Sequence, residues 1–383
     1  LVIYADNAAT TKISDTAFMK MLPFLQEQYG NASSQYSSGI KAKRAVEYAR
    51  QQLASAIGAQ TSEITFTSGG SESNSWVLRG VVESFDREKI HIITSSIEHP
   101  SVLNACHALE TKGVEITYLP VGSQGQVSID DLKAEIRQNT KLVSIMLANN
   151  EIGTIQPVAE IGKYLHECNI LFHTDAVQAV GHIPVNVTEL HADFLTASAH
   201  KFNGAKGTGI LYKRLGLKLP NLVFGGGQEH GTRGGTENVA GIVASGYALE
   251  ECVSDMKLIA EKLNSFVQTT IDGIRVKIPN IKVNGDPRNC LPGIVNISFN
   301  SILGESLMHL LDLKGICVST SSACTSGKDE PSHVLMALGL STEQAKSAIR
   351  ISYGKYNTMQ EVESVVVGIC DAHDIILGAT TNL

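Results

Sequence analysis

Short runs of apolar, β-branched residues alternate with helical stretches through the first two-thirds of the chain, and that alternation leaves few folds open. Residues 63–68 (EITFTS), 90–95, 141–148 (KLVSIMLA), 170–174, 193–198 and 209–213 read as strands. Residues 71–85, 130–138 and 158–167 read as helices between them. Near-continuous apolar runs suit strands buried on both faces, and parallel neighbours need a crossover such as a helix. The expectation is an α/β layer with a mostly parallel sheet. Met256, Ile259, Leu263, Phe266, Val267 and Ile271 then recur at helical spacing. Beyond them residues 281–283, 294–299 and 349–353 read as strands, with helices over 305–313 and 359–377. Two units are expected: a large one over residues 14–258, and a smaller α+β unit built from 1–13 and 259–383.

A chain of 383 residues is long enough for both. Its 31 basic and 38 acidic residues leave a net charge of −7, which argues against a broad basic face for nucleic acid. No run of apolar residues is long enough to span a membrane. The opening residues Leu1-Val2-Ile3-Tyr4-Ala5-Asp6 lack a basic stretch, so no signal peptide and a cytoplasmic location are expected. The seven cysteines are odd in number and form no CxxC pair, which argues for reduced thiols rather than a disulfide framework or a structural zinc site. Cys168 and Cys252 fall in helical stretches and Cys317 in an apolar one, so all three read as core residues. None of the twelve histidines forms HExxH, and no metal site is expected.

Four stretches carry chemistry. In Thr67-Ser68-Gly69-Gly70-Ser71-Glu72-Ser73-Asn74 a strand meets a helix through two glycines. Ser71 is placed to cap that helix, whose free N–H groups would attract an anion. Asp175 and Gln178 follow a strand, where open α/β sheets bind their ligands. In Ser198-Ala199-His200-Lys201 another strand ends on a lysine, a residue able to form a Schiff base when its pKa is lowered. In Ser321-Ser322-Ala323-Cys324-Thr325-Ser326-Gly327 small polar residues surround a cysteine with nothing apolar to bury it, which suits a reactive thiol.

In this order and spacing, with Tyr4–Thr11, Glu98-His99-Pro100-Ser101-Val102, Asn149-Asn150-Glu151, Gly231-Thr232-Arg233-Gly234-Gly235-Thr236 and Ala348-Ile349-Arg350, the sequence resembles the pyridoxal-phosphate-dependent cysteine desulfurases of the NifS/IscS type over nearly its whole length. The resemblance implies a fold-type-I transferase: a large domain with a mostly parallel mixed sheet flanked by helices, a smaller C-terminal domain, and a homodimer. It implies that Lys201 bears pyridoxal 5'-phosphate. Gly70, Ser71, Ser198 and His200 would hold the phosphate, with Thr236 contributed by the other subunit. Asp175 would pair with the ring nitrogen, Gln178 with the ring hydroxyl, and His99 would stack on the ring and move protons. Asn150, which also touches the cofactor, and Arg350 would clamp the substrate carboxylate. L-cysteine would become L-alanine, its sulfur passing to Cys324 as a persulfide and on to an acceptor such as an iron–sulfur scaffold or a tRNA-thiolation protein. A selenocysteine lyase or another enzyme of the same fold would not need Cys324. A non-catalytic sulfur-delivery protein would not need the cofactor. The chain departs from the family pattern at Ala32, Tyr36, Ser71, His182 and Ala205, none of which removes an expected catalytic group.

Overall fold

The six strands expected in the first two-thirds of the chain assemble, with one more, into a single sheet. The computed structural model describes residues 2–85, 90–320 and 330–380, so Cys324 lies outside the described residues. After a short N-terminal strand β1 (Ile3–Tyr4) come β2 (Ile64–Thr67), β3 (His91–Ser95), β4 (Glu115–Leu119), β5 (Thr140–Ser144), β6 (Leu171–Asp175), β7 (Phe194–Ser198) and β8 (Gly209–Lys213). The large sheet runs β2-β8-β7-β6-β5-β3-β4. β8 is antiparallel to its neighbours β2 and β7, and every other pair is parallel. Its central strands β3, β6 and β7 are almost wholly buried because helices cover both faces.

The added strand is β4. It lies at the sheet edge, is half exposed and mixes Glu115 and Thr117 among its apolar residues, so it lacks the continuous apolar signature. The expected strand over 141–148 is shorter than its apolar run. Pairing ends at Ser144, although Ile145 and Leu147 still donate to the carbonyls of His173 and Asp175. The helix expected over 256–271 is the second half of one 39-residue helix, Val239–Lys277. Its first part buries a mostly small-residue stretch, from Ala240 to Leu249, with Ile242, Ala244, Ala248 and Leu249 in the core of the large sheet. Its later part buries Leu263, Phe266, Ile271 and Ile274 in a second core.

That second core lies on a four-stranded antiparallel sheet. β9 (Lys282–Asn284), β10 (Ile294–Ser298), β12 (Ser319–Thr320) and β13 (Ala348–Ser352) run in the order β12-β13-β10-β9, while β11 (Ile316–Cys317) pairs with β1. The N-terminal segment links the two sheets: Asn7 and Ala8 donate from their backbone to Ser352, and Thr11 donates from its backbone to the carbonyl of His200. Among the described residues no helix is long and apolar enough to cross a membrane.

Candidate active site

Five strands of the large sheet end at the same edge, and the residues that follow them meet over it. β2 leads into the helix Gly70–Ser84, β3 into His99 and the helix Pro100–Glu110, β5 into Asn150, β6 ends on Asp175, and β7 ends on Ser198 just before Lys201. With Arg350 from β13 and Asp6, Ala8 and Ala9 from the N-terminal segment, they line one cavity of about 380 Å³. Gly70, Ser71, His99, Asn150, Asp175, Gln178, Ser198, His200, Lys201 and Arg350, ten of the site residues expected from sequence, are all in its wall. Thr236 is not. It lines a neighbouring cleft with Thr67, Ser68, Glu229 and Arg233.

The cap of the helix at the first motif differs from expectation. The N-cap is Gly69, which offers no side chain, and Ser71 lies inside the first turn. Glu72 reaches back instead, accepting from the backbone N–H and the hydroxyl of Ser68. Burial works against its charge, but Arg233 and Ser68 hold Glu72 below the usual carboxylate range. Among the described residues the helix terminus therefore faces the cavity without a side-chain cap, beside Ser71, Ser198 and His200, an arrangement that attracts negative charge. Gly209 makes room for this turn. A Cβ there would lie 2.5 Å from the Cα of Gly69.

Asp175 is nearly buried, and both its oxygens accept: Oδ1 from the backbone of Val177 at 3.0 Å, Oδ2 from Asn74 Nδ2 at 2.7 Å. Gln178 is anchored by donating to the carbonyl of Ala8 at 2.9 Å. Lys201 Nζ donates to the carbonyls of Ala8 at 2.5 Å and Ala9 at 2.7 Å. His200 stands 3.1 Å from the Thr10 hydroxyl through Nδ1, and burial, with Lys201 and Lys206 adding to it, pushes its pKa down to about 4. The ring is neutral near neutral pH.

Arg350 donates from Nη1 to the Asn150 carbonyl at 3.0 Å and from Nη2 to Asp6 at 2.6 Å. Its Nε is buried without a partner among the described residues, as is Asn74 Oδ1. Sequence reasoning gave Asp6, Asn74 and Ser101 no role, although all three fall inside quoted motifs and line the cavity. Glu98, next to His99, is fully buried. It accepts from the Ser95 hydroxyl and the Met146 backbone, and burial pushes its pKa up to about 8.

None of the six described cysteines lines the cavity. Burial raises the pKa of Cys106 and Cys290 to about 12 and of Cys252 to about 11, and it raises Cys317 and Cys370 too. Cys168, expected in the core, is exposed, because it is the C-cap of the helix Val158–Glu167. Cys317 and Cys252 are half-buried rather than fully inside.

Residues 3–365 match the family model described as aminotransferase class-V. The chain is similar to the cysteine desulfurase IscS of Dictyoglomus turgidum, 48% identical over 360 residues, covering 94% of this chain and 91% of that one. The chain belongs to the cysteine desulfurases of aminotransferase class V. Members of this family work with pyridoxal phosphate. A solved NifS-like protein superposes with a TM-score of 0.92 at 39% identity, covering 98% of this chain and all of the other. A structure of SspA in complex with cysteine gives a TM-score of 0.82 at 36% identity over 93% of this chain and 100% of that one. The fold-type-I architecture expected from sequence is the one the chain shares with the NifS-like structure.

The donor set of the cavity fits the family's cofactor. It offers an uncapped helix terminus with hydroxyls for a phosphate, a buried carboxylate for a ring nitrogen, an amine for an aldehyde, and buried polar atoms that lack a partner among the described residues.

Proposed function

We propose that the protein binds pyridoxal 5'-phosphate in this cavity and converts L-cysteine to L-alanine, its sulfur passing to Cys324 as a persulfide. The convergence of ten expected site residues on a single cavity carries the reading. The high identity to named desulfurases over nearly the whole chain supports the substrate.

When bound, the cofactor supplies an electron sink for charge at the carbon beside the amino group. The chain's own residues do the rest. Gly70, Ser71, Ser198 and His200 would hold the phosphate, and Asp175 would keep the ring nitrogen protonated. Gln178 would pair with the ring hydroxyl. Lys201 would hold the aldehyde through Nζ, and its amine would move the proton at the substrate α carbon. His99 would stack on the ring and move protons. The Cys324 thiolate takes the substrate sulfur: a sulfur–sulfur bond forms, the carbon–sulfur bond breaks with its electrons left on carbon, and protonation there gives alanine. A free thiol is only a few per cent ionised near neutrality, so the thiolate must be favoured as it meets the substrate.

Asn150 and Arg350 grip the substrate carboxylate. Arg350 already offers a guanidinium held on two sides, so little is lost in ordering it. Arg350→Ala is expected to raise KM for L-cysteine about 10- to 100-fold, the loss of one charge-assisted hydrogen-bond pair. Arg350→Lys is expected to recover only part of this, because an ammonium cannot pair with both carboxylate oxygens in one plane. Steady-state kinetics on both variants checks it. We further propose a homodimer in which Thr236 reaches the partner's phosphate site, and a protein that accepts the persulfide sulfur.

The test is titration of the purified protein with pyridoxal phosphate, followed by absorbance. A visible band that saturates near one equivalent per chain and is lost in Lys201→Ala supports the reading. No band at saturating cofactor overturns it.

A further inference from the structure

His99 does something uncommon for a histidine: its side chain caps a helix. Nδ1 accepts the backbone N–H of Ser101 at 3.1 Å, closing the N-terminus of the helix Pro100–Glu110. A nitrogen that accepts an N–H carries no proton of its own, so the neutral ring keeps its hydrogen on Nε2. A second contact fixes the same choice. The Ser101 hydroxyl lies 2.8 Å from Nδ1 and accepts from Asn74 Nδ2 at 2.9 Å, so its single hydrogen is left to point at Nδ1. Asn74 also donates from Nδ2 to Asp175 Oδ2. One chain of hydrogen bonds thus runs from Asp175 through Asn74 and Ser101 to His99, with every donor direction determined.

We propose that Asn74 and Ser101 are positioning residues that hold His99 in its Nε2–H tautomer and couple that state to the Asp175 carboxylate. This deepens the reading of His99 as a proton-handling ring over the cofactor, while the network itself can be read without turnover. Asp175 sits where it would draw one proton onto the ring nitrogen of the cofactor, and the network withholds a second proton from Nδ1 of the neighbouring imidazole. Nδ1 then stays an acceptor and Nε2 carries the only N–H, so the neutral ring offers the substrate a hydrogen-bond donor at Nε2.

The charges around the ring pull in both directions. Burial lowers the His99 pKa most, Asp175 favours the imidazolium, and Lys201 and His333 oppose it. Glu98, next in the chain, is mostly protonated near neutrality because burial raises its pKa. The N-terminal end of the helix adds a further bias against a positive ring.

Heteronuclear NMR of protein carrying isotope-labelled histidine reads both ring nitrogens, with the His99 signals assigned by their loss in His99→Gln. The expected result is an unprotonated, accepting Nδ1 and a protonated Nε2. In Ser101→Ala the His99 pKa is expected to rise by about half to one unit, the worth of one hydrogen bond to the neutral form. The acid limb of kcat should move up in pH by the same amount, with KM for L-cysteine changed less than about twofold. Ser101→Thr, which keeps the hydroxyl, should restore both readings, and Asn74→Ala should shift them in the same direction as Ser101→Ala. A proton found on Nδ1, or a His99 titration in Ser101→Ala that coincides with wild type, overturns the proposal. Absence of a cofactor band would instead overturn the function proposed above, since the tautomer is read on the protein with or without added cofactor.

Discussion

Lys201→Ala is expected to lower turnover of L-cysteine by at least about four orders of magnitude, while the protein stays folded and still binds pyridoxal phosphate. The asymmetry follows from the geometry. Among the described residues, Lys201 supplies the only amine in the cavity wall. Its loss removes both the anchor for the aldehyde and the group that moves the α proton. The remaining grip is built from other groups, the helix terminus at Gly70, the hydroxyls of Ser71 and Ser198, and the Asp175 carboxylate held by Asn74 and the Val177 backbone. Removing Nζ leaves two carbonyls, Ala8 and Ala9, without that donor, a cost of about 1–3 kcal/mol if no water replaces it. Single-turnover kinetics with a thermal melt checks both halves. A variant that keeps more than about one per cent of turnover would show that Lys201 is not the essential amine.

Cys324→Ala is expected to reduce formation of alanine and sulfide from L-cysteine by at least about a hundredfold, with the cofactor band unchanged. No other thiol is placed to substitute. None of the six described cysteines lines the cavity, and burial holds five of them as thiols. Cys168 is exposed at a helix end and is not part of the cavity wall, which makes Cys168→Ala the control that should retain full activity. Sulfide release in the presence of a reductant, with alanine counted alongside, measures both variants. Full turnover in Cys324→Ala would move the reaction toward a lyase that expels its sulfur without a protein acceptor.

The large sheet was legible because burial on both faces leaves an uninterrupted apolar signature, as in β3, β6 and β7. The half-exposed edge strand β4 lacks that signature. Two early helices were equally hard to read. Asp15–Gln26 contains Pro23 and exposes Phe18, Met19 and Leu25, so it shows neither an unbroken helical pattern nor a polar outer face. Ser37–Ala56 is mostly polar and holds Gly39 near its start. The cavity was legible for a different reason. Parallel strands deliver their C-terminal neighbours to one edge, so motifs after β2, β3, β5, β6 and β7 had to meet. What the local motifs did not reveal were the pairings across the chain. The Asp6–Arg350 ion pair joins residues 344 positions apart, and Asn74 meets Asp175 across 101. No local spacing carries such contacts. The cap at Gly69 was misassigned to Ser71 because a serine beside two glycines is the commoner cap, whereas here the Glu72 side chain takes up the preceding N–H.

The central claim is that sulfur leaves L-cysteine for a thiol of this chain. It is tested most directly by mixing the cofactor-loaded protein with a slight excess of L-cysteine in the absence of reductant. Alanine is then counted, and the protein is digested and its cysteines read by mass spectrometry. The expected result is alanine formed in a burst of about one equivalent per active site, with one extra sulfur atom located on Cys324. Alanine formed with no sulfur retained on the protein, or retained on another cysteine, would contradict the account.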